Sequence, residues 1–380
     1  MTYKILMRQS STPSRMPIRI LVVAPSLKIV GGQSIQADAL IRGLNREPNV
    51  EVALAATDPP LPEVVQRIKY LRTTLKFLLF FPLILMRIWR YDILQVFTPA
   101  GASYFMWSVP AMAVGRLAGK RVILHYHDGR GSTHFAQSRF AAWTSRMAHV
   151  LVTPSEYLSD AFARCNVPAV PIPNLVDPSF FKYRTRDRLR PVFFTNRGLE
   201  PLYNVGCVLR AFSAIQQHYP DARLTVAHDG PSRCEMEELA STLQLANVTF
   251  TGTVSQQRMV DLYDASDIYL MSPDIDNMPG TVLECYASGI PVVSTKAGGV
   301  PYIVRHEFTG LLVNCGDWEA LARSACRLLA DPALALRLAR NGRAECSRYT
   351  WEVVRPQWLQ LYAELLGFPA PESARSAASA

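Results

Sequence analysis

The sequence has no pair of cysteines at C-x-x-C spacing, and its seven cysteines are an odd number. That pattern fits neither a disulfide framework nor a zinc site, and it is typical of proteins in a reducing compartment. No run reaches the ~20 consecutive apolar residues that span a bilayer. The polar segment 1–16 also lacks the apolar centre of a secretory signal. We therefore expect a cytoplasmic protein.

The length allows two or three domains, of which two is the first expectation, and the composition is that of a folded chain. It has 380 residues, of which 49% are hydrophobic and 19% charged, so a chain disordered throughout is excluded. The formal net charge of +9 is compatible with nucleic acid, anionic lipid, phosphate-bearing substrates or simply a basic surface. Nucleic acid is not expected, because the chain shows no concentrated basic face with base-stacking residues.

Residues 67–90 are the one place where basic residues concentrate. Six of them flank the apolar run 77–86, which Pro82 interrupts: Arg67, Lys69, Arg72, Lys76, Arg87 and Arg90. Such a segment can lie in the headgroup region of an anionic membrane, as a possible peripheral contact. It can equally be a buried helix pair with basic ends, and both interpretations stay open.

Strand-like apolar runs alternate with helical stretches in both halves of the chain, which predicts an α/β fold with two doubly wound parallel sheets. After the first run, Ile18–Ala24, apolar positions at helical spacing follow Gly31-Gly32, with Ser34 as a candidate helix cap. The proline-rich segment 171–178 separates the halves. Because ligands bind at the carboxyl ends of parallel strands, a cleft between the domains is the expected site.

Two segments of the second half combine features of an anion site. In the first, Asp276 lies in a turn, and Gly280 precedes a helix whose free amides favour a phosphate. Glu284 in that helix can accept hydrogen bonds from the vicinal hydroxyls of a ribose. The second is Gly298-Gly299-Val300, whose amides can face an anion. Each signal is weak alone, since solvated acids and ordinary turns give the same pattern.

Further candidates follow predicted strands. A guanidinium at Arg197 can clamp a diphosphate through paired hydrogen bonds, and Asp229-Gly230 ends another strand in a turn. In the first half, His127 or its neighbour His125 can face a reacting centre, although a core histidine is the commoner case. Gly31-Gly32 lacks the G-x-G-x-x-G spacing of a dinucleotide site.

Taken together in this order, the motifs resemble the retaining glycosyltransferases of family 4, which have the GT-B fold. The resemblance runs from Ile18 to Tyr362. It rests on Gly31-Gly32, residues 173–177, Arg197, Asp229-Gly-Pro231, the pair Asp276 and Glu284, Gly298-Gly-Val-Pro301 and residues 309–313.

The resemblance implies two Rossmann-like domains facing a central cleft. The segments would be a flexible 1–16, an acceptor-side domain 17–188 and a nucleotide-sugar-binding domain 189–350. A helix 351–367 would return to the first domain, and 368–380 would be a disordered tail. Arg197, Asp276 and His127 would be catalytic. The donor would be bound by Gly31, Gly32, Arg197, Asp229, Gly230, Gly280, Glu284, Gly298, Gly299 and Val300.

Three positions depart from the family pattern. The first acid is Asp276 rather than Glu, and Tyr302 replaces a glutamate after Val300-Pro301. The segment 199–204 also lacks the lysine that usually follows the arginine, which leaves one cation fewer for the diphosphate. Each oriented charge of this kind contributes about 2–4 kcal/mol in a transition state. An inactive relative is therefore an alternative.

The expected function is transfer of a sugar, with retention, from a nucleotide diphosphate sugar to a saccharide or lipid-linked acceptor in cell-surface glycan synthesis. We expect no cofactor and no metal, because Arg197 and helix dipoles would supply the positive charge. The expected location is cytoplasmic or peripheral on the cytoplasmic face of the membrane. A GT-B nucleotide-sugar epimerase and a non-catalytic nucleotide-sugar-binding protein are the rival interpretations.

Overall fold

The structure is a computed structural model that describes residues 17–28, 31–62, 65 and 68–368. The segment 1–16, predicted to be flexible, lies outside the described residues. So does the predicted disordered tail, apart from Phe368.

Six parallel strands form the first sheet in the order β2-β1-β3-β4-β5-β6. They are β1 Ile18–Ala24, β2 Val50–Ala56, β3 Ile93–Thr98, β4 Arg121–Tyr126, β5 Val150–Thr153 and β6 Val170–Pro171. Helices cover both faces, so the central strands are buried along their length. This explains why they appear in the sequence as nearly continuous apolar runs.

The helices of this half connect successive strands. They are α1 Gly32–Leu44, α2 Lys69–Arg87, α3 Val109–Leu117, α4 Gly131–Gln137, α5 Arg139–Ser145 and α6 Glu156–Ala163, with a π-helix at Tyr104–Ser108 before α3. Two expectations are corrected here. Residues 69–87 form one helix that contains Pro82, not a helix pair. In α1, Gly31 is the cap, and Ser34 lies in the first turn, where its hydroxyl accepts the Gly31 amide at 3.1 Å.

The second sheet repeats the arrangement with the order β12-β11-β10-β7-β8-β9. Its strands are β7 Val192–Thr195, β8 Arg223–Val226, β9 Val248–Phe250, β10 Ile268–Met271, β11 Val292–Thr295 and β12 Leu311–Val313. Its helices are α7 Val205–His218, α8 Arg233–Thr242, α9 Gln256–Ala265, α10 Gly280–Ser288, α11 Val300–Ile303, α12 Trp318–Ala330 and α13 Pro332–Cys346. The prediction of two doubly wound parallel sheets is confirmed.

The last helix, α14 Trp351–Leu366, packs on the first sheet rather than the second. Trp351 lies against α1 so closely that a Cβ at Gly43 would be 2.4 Å from its ring. Farther along, the Tyr362 hydroxyl donates to Gln95 Oε1 of β3 at 2.7 Å. The chain therefore crosses between the domains twice, through residues 172–191 and again before α14. Among the described residues, no helix combines the length and the apolar character needed to cross a bilayer.

Candidate active site

The centre of the site is a buried ion pair between the ends of two neighbouring strands. Arg197 follows β7, Asp276 follows β10, and the two strands are paired in the sheet. Nη2 of Arg197 donates to Oδ2 of Asp276 at 2.6 Å, and both side chains are about nine-tenths buried. The other carboxylate oxygen accepts the Asn277 amide at 2.9 Å. Both oxygens of Asp276 are thus held by donors.

The electrostatics of this pair keep the guanidinium charged. Burial is the largest single influence and lowers the pKa of Arg197, but the carboxylate of Asp276 together with the neighbouring tyrosines outweighs burial and holds that pKa above its ordinary value. For Asp276, burial raises the pKa, and this rise is opposed by Arg197 and the Asn277 amide. The ring of Tyr203 also covers the guanidinium, with Cζ of Arg197 4.1 Å from the ring centroid.

Glu284 lies in the second turn of α10 and is fixed by a chain of hydrogen bonds. Its Oε2 accepts the Tyr263 hydroxyl at 2.5 Å. Asn196, next to Arg197, donates to the Tyr263 oxygen at 2.9 Å and accepts the Tyr269 hydroxyl at 2.8 Å. Burial raises the pKa of Glu284, while the bond from Tyr263 and the charge of Arg197 oppose that rise. The two acids thus border the same guanidinium.

The glycine pair after β11 packs directly on the loop that carries Asp276. A Cβ at Gly298 would lie 2.2 Å from the Asp276 carbonyl oxygen, and one at Gly299 would lie 1.9 Å from that of Asn277. The Gly299 amide donates to Asp276 O at 3.0 Å, and the Val300 amide donates to Ala297 O at 2.9 Å. This corrects the expectation that the Gly299 and Val300 amides face an anion, because both already have backbone partners. These glycines permit the close approach of two loops.

On the first domain, the site is bordered by the loop after β4. His127 stacks on Phe97 with ring centroids 5.0 Å apart, and burial lowers the pKa of its imidazole to about 3. The ring is therefore neutral at physiological pH. His125, the alternative, is more deeply buried, and its Nδ1 lies 3.3 Å from Gln95 Nε2 in the interior.

Contacts across the cleft bring the first domain against the Asp276 loop. A Cβ at Gly129, two residues beyond His127, would lie 3.4 Å from the Asp276 carbonyl carbon. Ser155, which caps α6, donates to Oδ1 of Asn277. From the interdomain segment, the Asn174 side chain donates to Met278 O at 2.9 Å. The loop 276–278 thus contacts both domains.

The remaining predicted donor residues fall into two groups. A Cβ at Gly31 or Gly32 would meet nothing within 4 Å, while one at Gly280 would lie 3.7 Å from Gln36 Nε2 of α1. The start of α1 thus lies near the start of α10, and packing does not require glycine at 31 or 32. Asp229 and Gly230 lie beside Leu199, where a Cβ at Gly230 would be 2.4 Å from the Leu199 oxygen.

Several polar atoms along the cleft are buried without a protein partner. Within the described part of the chain they include Gln33 Nε2, His127 Nε2, Arg197 Nε and Asn277 Nδ2. An unsatisfied buried polar group costs about 1–3 kcal/mol. They lie in both domains, and a polar ligand or water in the cleft can supply their hydrogen bonds.

The expectation of a metal-free site neglected one sequence feature, the Asp274-Ile-Asp276 pair at D-x-D spacing. The two carboxylates have different partners: Asp276 pairs with Arg197, and both oxygens of Asp274 accept Asn204 Nδ2 at 3.2 Å. Within the described ranges, no group of three His, Cys, Asp or Glu side chains is arranged to hold a metal ion.

Sequence reasoning missed the tyrosines and the amide that complete the site: Tyr203, Tyr263 and Asn277. Tyr203 could have been noticed, because it lies in segment 199–204, where the family pattern described above has a lysine. Tyr263 lies in α9, outside every recognised motif, and no local pattern connects it with Glu284.

Comparison with known proteins agrees with this architecture. The family model Glycosyltransferase Family 4 matches residues 30–180, and Glycosyl transferases group 1 matches residues 178–345. Sulfoquinovosyl transferase SQD2 of Arabidopsis thaliana is 30% identical over 146 residues, which is 38% of this chain and 28% of that protein. D-inositol 3-phosphate glycosyltransferase of Corynebacterium urealyticum is 31% identical over 180 residues, 45% of this chain and 42% of that one. The chain thus spans less than half the length of these two relatives.

Among solved structures, HepE of Anabaena in complex with UDP-glucose superimposes with a TM-score of 0.72 and 19% identity, covering 92% of this chain and 99% of that one. This likeness establishes the GT-B fold. With two consecutive family models matched from residue 30 to residue 345, the chain belongs to the family 4 glycosyltransferases.

Proposed function

We propose that the protein is a retaining glycosyltransferase that moves a sugar from a nucleotide diphosphate sugar to a saccharide or lipid-linked acceptor in the assembly of a cell-surface glycan. The observation that carries the proposal is the buried pair of Arg197 and Asp276 beside the start of α10, with Glu284 in the same helix. It combines one fixed cation, a helix N-terminus and a carboxylate facing one cleft.

The donor would bind with its diphosphate near Arg197 and the first amides of α10, where a guanidinium and a helix N-terminus both favour negative charge. Glu284, held by Tyr263 through one oxygen, would accept the ribose hydroxyls through the other. Gly31 and Gly32 would let the backbone of α1 approach the phosphates. The structure of HepE with UDP-glucose supports a nucleotide sugar as the ligand class.

In the transfer step, the bond between the anomeric carbon and the diphosphate oxygen breaks, and an acceptor hydroxyl attacks the same face of the sugar. The hydroxyl proton passes to the departing phosphate oxygen, so the charges balance without an added reactant. Arg197 would stabilise the leaving diphosphate. Both oxygens of Asp276 are already bonded, so we assign it to orienting Arg197 and the loop around the sugar rather than to nucleophilic attack. Neutral His127 would accept a hydrogen bond from a sugar hydroxyl.

The acceptor side is proposed from the relatives and from the surface. Their names include acceptors such as D-inositol 3-phosphate and phosphatidylinositol monomannoside. A lipid-linked acceptor would place the protein peripherally on the cytoplasmic face of a membrane, with contact through residues 67–90. We further propose that transfer needs no metal, so that treatment with EDTA would leave the rate unchanged.

A thermal-shift screen against UDP-, GDP- and ADP-sugars tests the proposal, followed by product analysis with the donor that binds. We expect one nucleotide class to stabilise the protein, and Glu284→Gln to lose this shift by weakening donor binding about tenfold or more. The matched control is Glu238→Gln, an exposed change on α8.

A folded sample that binds no nucleotide sugar would contradict the proposal. Donor binding without turnover would assign the chain to the non-catalytic alternative, which the lack of a lysine in 199–204 favours. Release of free nucleotide and an altered sugar would assign it to the epimerases.

A further inference from the structure

Helix α2 is apolar on both of its sides. Its inner side is buried in the first domain through Phe80 and Ile84. Its outer side carries large apolar side chains at helical spacing that are between two-fifths and three-quarters exposed: Leu71, Leu78, Leu85, Met86 and, just beyond the helix, Trp89. Monomeric soluble proteins rarely expose a continuous row of large apolar side chains unless a partner or a membrane covers it.

A second exposed group continues this stripe on α5, where Phe140 is 56% and Trp143 61% exposed. The π-helix at 104–108 connects the two groups. Its Trp107 contacts Phe77 of α2 with ring centroids 5.8 Å apart, and its Phe105 stacks on Phe140 at 5.7 Å. We call the exposed set the apolar face: Leu71, Leu78, Leu85, Met86, Trp89, Phe140 and Trp143.

Basic residues are frequent in the segments that carry the apolar face. Residues 69–90 contain five Lys or Arg and no Asp or Glu. Lys120 donates to the Trp89 carbonyl at 3.3 Å, which places a further cation beside the tryptophan. On α5 and just after it, Arg139 and Arg146 are exposed on either side of Trp143. Aromatic and aliphatic side chains with cations nearby match the interface of an anionic bilayer, where tryptophan is favoured.

We propose that the apolar face docks on the surface of an anionic lipid bilayer, with Trp89 and Trp143 inserted at headgroup level. This extends the contact proposed above from residues 67–90 to a second helix, and it rests on the proposed function only for the idea of a membrane-borne acceptor. A second copy of the chain fits less well, because pairing two such faces would bring like charges together.

The position of the apolar face suits delivery of an acceptor from the membrane. The π-helix follows the carboxyl end of β3, and α4 and α5 follow the loop of His127 and Asp128 after β4. The Ala100 amide donates to Oδ2 of Asp128 at 3.0 Å, which joins these two loops. The Phe140 end of the apolar face therefore adjoins the first domain's edge of the cleft, whereas Trp89 precedes β3 at the opposite edge of the sheet. The face thus runs along the side of the domain, and docking would hold the cleft edge close to the lipid headgroups.

Flotation with vesicles of phosphatidylcholine alone, or mixed with phosphatidylglycerol, tests the proposal with the full chain. We expect recovery with the mixed vesicles, reduced by salt, and little with phosphatidylcholine alone. Met86→Ser/Trp89→Ser/Trp143→Ser should lower binding to mixed vesicles by about tenfold or more. The matched control, Phe308→Ser/Val353→Ser, changes two similarly exposed apolar residues of other surfaces.

A second readout locates the insertion. Brominated lipid in the vesicles should quench tryptophan emission in the wild type, and Trp89→Phe/Trp143→Phe should remove that quenching while keeping apolar side chains. Failure to bind mixed vesicles, equal binding by the serine variant, or a dimer that the serine variant dissociates would each overturn the proposal. Donor binding is measured separately by thermal shift, so a lost vesicle interaction and a lost transferase function remain distinguishable.

Discussion

The ring of Tyr203 lies over the guanidinium of Arg197, with Cζ of the arginine 4.1 Å from the ring centroid. Tyr203 belongs to the segment 199–204, where the family pattern has a lysine. This segment contains no lysine and instead supplies an aromatic face that covers Arg197. Such a contact is worth about 0.5–2 kcal/mol when the cation is desolvated. It orients Arg197 without adding charge.

The first prediction concerns this aromatic contact. Tyr203→Leu should lower kcat/KM about threefold to thirtyfold, because the guanidinium loses the ring that orients it. Tyr203→Phe should stay within about twofold of the wild type, since it keeps the ring and loses only the hydroxyl. Steady-state kinetics with the identified donor measures both. Equal losses in the two variants would show that the hydroxyl, not the ring, matters.

The second prediction concerns Tyr263, which positions Glu284. Tyr263→Phe removes the hydroxyl that joins Glu284 to Asn196, so a buried carboxylate loses a donor at a cost of about 1–3 kcal/mol. We expect the donor KM to rise about tenfold with a smaller change in kcat, because the ribose contact forms in the ground state. Tyr183→Phe, at an exposed tyrosine, is the control. An unchanged KM would remove Tyr263 from the donor site.

The fold was predictable because its central strands are buried on both faces. Strand β1, for example, was predicted at Ile18–Ala24, and the structure places it over the same residues. Helix α13, Pro332–Cys346, was missed because its polar and small residues weaken the apolar period, although Asp331 caps it through the Leu334 amide and Pro332 begins it. The capping residues of this helix were therefore visible in the sequence, but the weak apolar periodicity did not predict a helix.

The site was predictable only where it depends on motifs. Arg197 and Asp276 were each identified from the sequence, but their ion pair was not. The pair forms because strands β7 and β10 are neighbours in the sheet, and the order of the strands along the chain does not reveal that they are neighbours. The engaged amides of Gly299 and Val300 depend on how two loops pack, which no residue type encodes. The outward stripe of α2 was visible as an apolar run, but its exposure depends on which side meets the sheet.

The third prediction concerns acid stability and the buried histidines. The pKa of His127 falls from the ordinary 6.5 to about 3, and burial also lowers that of His125. Between these pH values the unfolded chain binds more protons than the native protein, so stability falls as the pH drops below about 6.5. Each histidine contributes up to about 1.4 kcal/mol per pH unit.

Urea unfolding at a series of pH values measures this effect. His127→Gln should flatten the loss of stability between pH 6.5 and pH 4, because glutamine binds no proton in either state. His218→Gln, at a more exposed histidine at the end of α7, is the matched control variant. If His127→Gln and the wild type lose stability in parallel, His127 is not held neutral by the fold.

The fourth prediction contrasts two glycines of the same site. Gly31 is extended at φ −166°, which any residue adopts, and an added Cβ there meets nothing within 4 Å. Gly31→Ala should therefore leave the free energy of unfolding within about 0.5 kcal/mol of the wild type. A methyl group at this position would nevertheless meet a phosphate that approaches the start of α1, so the donor Kd should rise.

Gly299→Ala should behave in the opposite way, because its Cβ would lie 1.9 Å from the Asn277 carbonyl oxygen and force two loops apart. Overpacking of this kind costs about 1–3 kcal/mol, and Tm should fall accordingly. Thermal unfolding with and without donor separates the two effects. Gly31→Ala should keep the Tm of the free protein but lose the increase in Tm that the donor causes. Gly299→Ala should have a lower Tm than the wild type both with and without donor. A donor shift that survives in Gly31→Ala would place the phosphates away from α1 and restrict the donor contacts to the second domain.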